Sequence, residues 1–371
     1  MHIVHVGKFY SPYRGGVETV VEQVCRGLIE RGEEVTAVVS NDKPDTAEET
    51  LHGVRVIRLG TRLMLNSQPF SLRLVKALRD LRFDVLHFHT PNPLGALAIL
   101  AARVTQPIVV THHSDIIRQR ILGKPAMGAQ ALLYRKAAAL IAGTPKNIEH
   151  SRVLRRFADK CKVIHFPIDA TPYAATVGSW DEGLLPAWQS DPLVLFVGRL
   201  VYYKGVDVLL NALALTARAR LVIVGEGPLQ TQLYSQTRAL GLSERVAFLG
   251  GISTARLHAL YKRCRFLVLP SVARSEAFGM VQLEAMAAGR PVISTNLKSG
   301  VPYVNQHGKT GLVVPPSDSV ALGAAMRRML DDEAYTEELG RNALQRVLSE
   351  FGVSGAVDAH LALYRAVSKS P

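Results

Sequence analysis

Two glutamates, Glu276 and Glu284, are separated by seven residues at a corner between a predicted strand and a predicted helix. The apolar run Phe266–Leu269 predicts a buried strand, and Gly279 stands where a helix with an apolar face begins. Glu276 therefore lies in the loop before this helix. Glu284 lies inside the helix, roughly one and a half turns after its start. Carboxylates in these positions can accept hydrogen bonds from sugar hydroxyls and from a ribose diol. The alternative is a solvated loop acid followed by an acid on the helix surface.

The start of the same helix is suited to phosphate. The free N–H groups of Phe278, Gly279 and Met280 lie at a helix N-terminus, which attracts anions. Gly279 carries no side chain, so a ligand can approach the backbone closely. A sugar nucleotide requires both kinds of group, carboxylates that bind its hydroxyl groups and main-chain amides that bind its phosphates.

Two basic residues, Arg199 and Lys204, follow the apolar run Leu193–Val197. Gly198 predicts a turn, so both side chains project from the carboxyl end of a strand. In that place they can neutralise the negative charge that grows on a departing nucleoside diphosphate. The alternative is a pair of solvated surface cations.

The N-terminal half offers a glycine pair and a histidine pair. Gly15 and Gly16 open a predicted helix and can bring N–H groups close to a phosphate, although such a pair also suits a simple turn. His112, His113 and Asp115 follow a strand, at the sheet edge where open α/β sheets hold their ligands. Neighbouring strand residues point to opposite faces, so the two histidines do not form a usual ligand set and no metal is predicted. Asp115 either orients a sugar hydroxyl or caps the next helix.

These residues are positioned by apolar runs that alternate with amphipathic stretches, a pattern typical of doubly wound parallel sheets. The predicted strands of the N-terminal half are His2–Val6, Val35–Ser40, Val54–Leu59, Val85–His89, Ile108–His112, Ala139–Ala142 and Lys162–His165. Those of the C-terminal half are Leu193–Val197, Leu221–Val224, Val246–Leu249, Phe266–Leu269, Val292–Ser294 and Leu312–Val314. Residues 171–192 contain several prolines and lack periodicity, so we place a domain boundary there.

The composition narrows the class of partner. The 371 residues carry a net charge of +13, and residues 1–180 hold 24 basic against 15 acidic side chains. That half should face something anionic. The chain has neither zinc-finger spacing nor an RNA-binding motif, so no nucleic-acid partner is predicted. Three isolated cysteines and a strand at the N-terminus predict a cytoplasmic protein without a signal peptide or a cysteine metal site.

Two basic stretches are candidate contacts with an anionic membrane or with an acceptor. The segment Phe70–Arg82 predicts an amphipathic helix that carries Arg73, Lys76 and Arg79. Such a helix either lies on anionic lipid, which would make the protein peripheral to the inner face of the membrane, or is an ordinary surface helix. The second stretch, which would hold the diphosphate of a lipid-linked acceptor, contains Arg118, Arg120, Lys124, Arg135 and Lys136.

The motifs together resemble those of retaining glycosyltransferase family 4, and the resemblance covers nearly the whole chain. Glu276 and Glu284 match the E-x7-E signature of the family, including the Phe-Gly that follows the first glutamate. Gly198–Gly205 matches G-R-L-x-x-x-K-G, and Gly15 and Gly16 match P-x-x-G-G-x-E. Gly225-Glu226-Gly227-Pro228 and Phe248–Ile252 also match, the latter at the edge that binds the nucleobase.

The resemblance implies the α/β fold class GT-B, in which two doubly wound parallel-sheet (Rossmann-like) domains face each other across a cleft. It implies an acceptor-binding domain at residues 1–180 and a nucleotide-sugar-binding domain at residues 181–354. A C-terminal helix within residues 355–371 would cross back to the first domain, although it can equally pack on its own domain.

The resemblance also implies roles for individual residues. The catalytic residues would be Glu276, Arg199, Lys204 and His113, with His112 as the second choice for the histidine that contacts the transferred sugar. The donor would contact Gly15, Gly16, Phe278, Gly279, Met280, Glu284, Gly251 and Ile252, while Asp115 and Arg118 would serve the acceptor. Since the chain has no Asp-x-Asp motif at a strand end, transfer would need neither a metal nor another cofactor.

The sequence around His113 looks most like bacterial enzymes that build lipopolysaccharide or exopolysaccharide, several of them mannosyltransferases. We therefore expect mannose from GDP-mannose, with a UDP-hexose or UDP-N-acetylhexosamine as the alternative donor. The expected acceptor is a saccharide on a polyprenyl diphosphate. A sugar-nucleotide epimerase of the same fold and a non-catalytic sugar-nucleotide sensor are the remaining alternatives. A Rossmann dehydrogenase is disfavoured because G-x-G-x-x-G does not follow the first strand.

Overall fold

The computed structural model describes residues 1–13, 15–61, 63–65, 68–70, 73–115, 123–175, 188, 190–217 and 219–369, with side chains left out for 63–65, 68–70 and 123–127. The chain divides into two compact units, one formed by Met1–Pro167 with Val353–Pro371 and the other by Ile168–Gly352. The domain boundary expected after residue 180 falls among residues 176–187, which are outside the described part, and it stays a prediction.

The first unit is built around a largely parallel sheet with helices. Its described strands are β1 (His2–Val6), β2 (Glu34–Ser40), β3 (Ala47–Leu51), β4 (Val54–Leu59), β5 (Leu63–Leu65), β6 (Gln68–Phe70), β7 (Val85–Thr90), β8 (Ile108–His112), β9 (Ala139–Ala142) and β10 (Cys161–Val163). Its described helices are α1 (Gly16–Glu30), α2 (Arg73–Asp80), α3 (Pro93–Ala102), α4 (Gly123–Lys136), α5 (Pro145–His150) and the C-terminal helix Val353–Lys369.

The strand order of this sheet is β10-β9-β8-β7-β1-β2-β4-β3. Every neighbouring pair is parallel except β3 with β4. The order runs outward in both directions from β1 and β7, so the carboxyl ends of these two strands form a topological switch point. The C-terminal helix packs on α1, where Gly27 lies so close to Val357 that a Cβ at residue 27 would meet it at 2.4 Å.

The second unit repeats the architecture around a second parallel sheet. Its described strands are β11 (Leu193–Val197), β12 (Arg220–Val224), β13 (Val246–Gly250), β14 (Phe266–Leu269), β15 (Val292–Thr295) and β16 (Gly311–Val314). Its described helices are α6 (Thr171–Ala174), α7 (Val206–Ala214), α8 (Gln230–Ala239), α9 (Thr254–Arg263), α10 (Met280–Ala287), α11 (Val301–Val304), α12 (Ser319–Asp331) and α13 (Glu333–Glu350). The C-terminal helix of the first unit is α14.

The second sheet has the order β13-β12-β11-β14-β15-β16, and all of its pairs are parallel. Apolar side chains of these strands and of α7 and α12 form one buried core. The predicted α/β class with two parallel-sheet, Rossmann-like domains is confirmed. Among the described helices, none combines the length and the apolar character that a membrane crossing requires.

Candidate active site

The loops that follow β11 and β14 are held together at one sheet edge. Gly205 has φ 65°, and a Cβ on it would lie 2.2 Å from the carbonyl oxygen of Pro270. The amide of Val272 donates to the carbonyl oxygen of Tyr203 at 2.8 Å. A glycine is therefore required at position 205, and the two loops are fixed against each other.

Lys204 and Glu276 meet at this junction. The Lys204 ammonium lies 2.6 Å from Oε2 of Glu276. The two residues are only 9% and 8% exposed. Burial by itself would lower the pKa of Lys204, but the charge and the hydrogen bond of Glu276 outweigh it and leave this pKa raised. Lys204 is therefore a cation at neutral pH.

One oxygen of Glu276 carries the protein contacts. Ser271, which is fully buried just after β14, donates its hydroxyl to Oε2 of Glu276 at 2.9 Å. Among the described residues, no group is hydrogen-bonded to Oε1. Since Lys204 and Ser271 both use Oε2, the other oxygen is left to accept hydrogen bonds from a ligand.

At the start of α10, Gly279 packs closely against a side chain of β14, while the approach of a ligand to its backbone stays a prediction. Gly279 precedes the helix with φ 75°, and a Cβ there would lie 2.6 Å from the Leu269 side chain. Gln282 ties the helix to the preceding loop, because its amide donates to the carbonyl oxygen of Phe278 at 2.8 Å. Phe278 is itself buried, so only its main chain can serve a ligand at this corner.

Glu284 lies on α10 beside a tyrosine of α9. The Tyr261 hydroxyl donates to Oε2 of Glu284 at 2.5 Å. Burial raises the pKa of Glu284, while the Tyr261 hydrogen bond and the Lys204 charge act in the opposite direction. Tyr261 itself is fully buried, so it fixes the carboxylate without competing for the solvent side.

Arg199 is exposed at the end of β11, and among the described residues no carboxylate pairs with it. The glycines of the Gly225–Gly227 turn have a packing role. A Cβ on Gly225 would lie 2.2 Å from the Gly198 carbonyl oxygen, and a Cβ on Gly227 would lie 2.4 Å from that of Leu200. These glycines therefore let the loop after β12 pack closely against the loop after β11.

The predicted base-binding edge follows β13. The amide of Gly251 donates to Oε1 of Glu226 at 3.2 Å, and Gly251 is exposed while Ile252 is half-buried. Glu226 thus organises this edge through its contact with the Gly251 amide.

In the first unit, the glycine pair opens α1. Gly15 is extended at the N-cap position, and Gly16 is the first residue of the helix. The Glu18 carboxylate lies against Gly15, where a Cβ would meet it at 2.3 Å. Burial raises the pKa of Glu18.

The two histidines at the end of β8 have different partners. His112 is hydrogen-bonded to the Tyr134 hydroxyl at 2.7 Å and to Asp115 at 3.1 Å, and Asp115 also accepts from Ser151 at 2.7 Å. His113 instead lies 3.1 Å from His89. Residues 116–122 lie outside the described residues, so the capping role that we weighed for Asp115 stays a prediction.

The predicted membrane contacts are partly engaged in the fold. Arg73 donates to the Pro44 carbonyl oxygen and to Thr46, and Arg79 donates to the Ala101 carbonyl oxygen. Lys76 is exposed on α2. The helix starts at Arg73, later than the predicted Phe70, which belongs to β6. Arg118 and Arg120 lie outside the described residues, and so does the side chain of Lys124.

Sequence reasoning missed two residues of this site. Ser271 has a positional signal, since it lies two residues after a predicted strand, at the carboxyl edge. Tyr261 has none, because its contact with Glu284 joins two helices that are separate in the sequence.

The amino-acid sequence was compared with protein families and with known proteins. A family described as Glycosyltransferase Family 4 matches residues 14–171, and one described as Glycosyl transferases group 1 matches residues 186–346. A D-rhamnosyltransferase of Pseudomonas aeruginosa is 38% identical, over 93% of this chain and 91% of that protein. The O-antigen chain mannosyltransferase C of Escherichia coli is 34% identical, over the full length of both.

Solved structures show the same fold. A sucrose-phosphate synthase from Thermosynechococcus elongatus superposes with a TM-score of 0.80 at 23% identity, covering 99% of this chain and 98% of that one. The expected GT-B fold class is confirmed.

Proposed function

The chain belongs to glycosyltransferase family 4, and from that premise we propose that it transfers a sugar from a nucleotide sugar to a saccharide acceptor with retention of anomeric configuration. The observation that carries this proposal is the buried pair of Lys204 and Glu276, 2.6 Å apart. It combines a fixed cation with a carboxylate that still has one oxygen to offer. The cation suits a diphosphate, and the carboxylate oxygen suits the hydroxyl groups of a sugar.

The surrounding residues complete a donor site in this proposal. Glu284, held by Tyr261, accepts hydrogen bonds from the ribose diol. The amides of Gly279 and Met280, at the start of α10, donate to the diphosphate. Arg199, exposed at the end of β11, which neighbours β14 in the sheet, adds a second positive charge.

The proposed reaction breaks the bond between C1 of the sugar and the diphosphate oxygen, and that oxygen keeps the electron pair. A hydroxyl oxygen of the acceptor forms the new bond to C1 on the face that the diphosphate leaves, which retains the configuration. The hydroxyl proton passes to an oxygen of the leaving phosphate. Arg199 and Lys204 stabilise the charge that develops there, so the proposed transfer needs no metal ion.

We propose mannose from GDP-mannose as the donor and a saccharide on a polyprenyl diphosphate as the acceptor, in O-antigen synthesis. Two observations support this choice. The names of the two relatives describe a mannosyl and a D-rhamnosyl transfer, and D-rhamnose is mannose without the oxygen at C6. The excess of basic residues in positions 1–180 suits an anionic acceptor.

The first test is a thermal-shift panel of the purified protein with GDP-mannose, GDP-D-rhamnose, UDP-glucose and UDP-N-acetylglucosamine, all in EDTA. We expect stabilisation by the GDP sugars. Stabilisation by UDP sugars alone would mean that the donor is a UDP sugar and not GDP-mannose. The absence of a thermal shift with every nucleotide sugar would contradict the proposed site. Transfer to a mannose-containing acceptor follows, with the anomeric linkage read by NMR.

A paired variant locates the nucleotide. Replacing Glu284 by Gln should weaken GDP binding by roughly 10- to 100-fold, the scale of a hydrogen bond to a charged group. The matched control is Glu337→Gln, since the Glu337 side chain is 63% exposed on α13. Equal binding by both variants would remove Glu284 from the donor site.

A further inference from the structure

Three buried histidines of the first unit form a hydrogen-bonded chain that ends at His113. Nε2 of His113 lies 3.1 Å from Nδ1 of His89, and Nε2 of His89 lies 3.0 Å from Nδ1 of His5. The three residues are 6%, 3% and 0% exposed. Each of the two hydrogen bonds joins ring nitrogens only, so one proton lies in each.

The parallel sheet brings these rings together. His5 on β1 is paired with His87 on β7, and His89 lies two residues further along that strand, on the same face. His113 follows directly after β8. The chain therefore leads from the middle of the sheet to the carboxyl edge at the β1/β7 switch point, where open α/β sheets bind their ligands.

All three rings are neutral. Burial lowers the pKa of His5 and of His113 to about 3, and that of His89 well below its usual value. A neutral imidazole carries one N–H group. Because each ring can donate only once, the chain has two consistent arrangements of protons, one the reverse of the other.

The far end of the chain decides between the two arrangements. Nε2 of His5 is buried and has no hydrogen-bond partner. If His113 donated to His89, and His89 to His5, the His5 proton would lie on this nitrogen as an unpaired buried N–H. The reverse arrangement leaves only a lone pair there. Unpaired buried donors are the rarer of the two.

We propose that His5 and His89 are positioning residues that fix His113 as the Nδ1–H tautomer, which donates a hydrogen bond to a hydroxyl oxygen of the bound sugar. His89 donates to Nε2 of His113, so that nitrogen cannot carry the proton. Among the described residues, no group accepts from Nδ1 of His113. The identity of the ligand rests on the proposed function, whereas the tautomer does not.

The same cluster has the spacing of a metal site, but its nitrogens are in use. Ligand atoms of His5, His87 and His89 lie within 4.8 Å of one another. His87 is hydrogen-bonded to the Tyr364 hydroxyl at 2.6 Å and to Thr111 at 2.7 Å. Both nitrogens of His89 are also paired. A metal would have to break these bonds, so stoichiometric zinc binding by the wild type, lost in His5→Phe, would overturn the proposal.

The direct test is two-bond ¹H–¹⁵N NMR of the full chain labelled on its histidines, at pH 7. We expect a protonated Nδ1 and an unprotonated Nε2 for His113, assigned by the signal that His113→Gln removes. A protonated Nε2, or a charged ring, would overturn the proposal. This readout needs no substrate. Hence the expected tautomer without transfer from any nucleotide sugar would contradict only the proposed function, and transfer with the other tautomer only this inference.

Variants connect the tautomer to the reaction. His89→Phe removes the donor, so His113 should lose the fixed Nδ1–H form, and kcat/KM should fall roughly 10-fold while GDP binding is unchanged. His360→Gln is the matched control, because His360 is also buried but bonds the Ala356 carbonyl oxygen. An unchanged His113 tautomer in folded His89→Phe would contradict the positioning role. Should that variant not fold, His5→Phe gives the same test one step along the chain.

Discussion

At the scale of single residues, the site is built on charges that are already paired before a ligand arrives. Lys204 and Glu276 are both nearly buried, and the desolvation of each is offset by the other and by Ser271. This pairing keeps the ammonium at a fixed point beside Gly198. A Cβ at position 198 would lie 3.4 Å from Nζ of Lys204. A cation held in place in this way needs no rearrangement to meet a developing negative charge.

Separate changes to this pair distinguish its structural part from its chemical part. Lys204→Met should lower kcat by roughly 10²–10³. It should also destabilise the fold by about 3–5 kcal/mol, because Glu276 becomes a buried charge without a partner. Adding Glu276→Gln should recover most of this stability but none of the activity. Urea unfolding and turnover measure the two effects.

The control for this experiment is Arg199→Ala. Arg199 is exposed, so its loss should lower kcat on a similar scale with little change in the free energy of unfolding. Recovery of turnover in the Lys204→Met and Glu276→Gln double variant would show that the ammonium stabilises only the fold.

At the scale of elements, the approach of α10 to β14 depends on one residue. Gly279 has φ 75° and also lacks space for a Cβ beside Leu269. Gly289, just after the same helix, has φ 72° but open space around it. The two glycines therefore separate backbone strain from steric overlap.

Replacing Gly289 by Ala should lower the free energy of unfolding by about 1 kcal/mol, the scale of a left-handed conformation in a non-glycine residue. Gly279→Ala should lower it further, because the added methyl group meets Leu269, and it should weaken nucleoside diphosphate binding. Urea unfolding and thermal shift with GDP measure both. Equal losses for the two variants would mean that the contact with Leu269 relaxes freely.

Elements that are specified by a pattern within one continuous stretch of sequence were predicted well. The strands His2–Val6, Val54–Leu59 and Phe266–Leu269 have the predicted bounds, since most of the side chains in each are apolar and buried. Strand β3, Ala47–Leu51, was missed because most of its side chains are polar and exposed. The hydrogen-bonded series of His5, His89 and His113 was also missed, since it depends on the lateral pairing of three strands that lie far apart in the sequence.

At the scale of the whole molecule, uncharged histidines are concentrated in one unit. Among the described residues, burial lowers the pKa of five histidines of the first unit. They are His5, His87, His89, His113 and His360. His5 and His113 reach about 3, and His360 reaches about 4. The first unit should therefore respond to acid in a way that the second does not.

The sign of this response follows from proton uptake. Above pH 6.5 these histidines are neutral in both states and contribute nothing. Below it, the unfolded chain binds protons that the native unit does not, so the free energy of unfolding falls by roughly 1 kcal/mol per pH unit for each histidine. For His5, His113 and His360 this fall continues down to about pH 3–4. Hydrogen exchange at pH 7, 6 and 5 should show β1 and β7 losing stability while β11 and β14 keep theirs. Because the second unit is the internal control, a parallel loss in both sheets would mean that the acid response comes from charges spread over the molecule and not from the buried histidines.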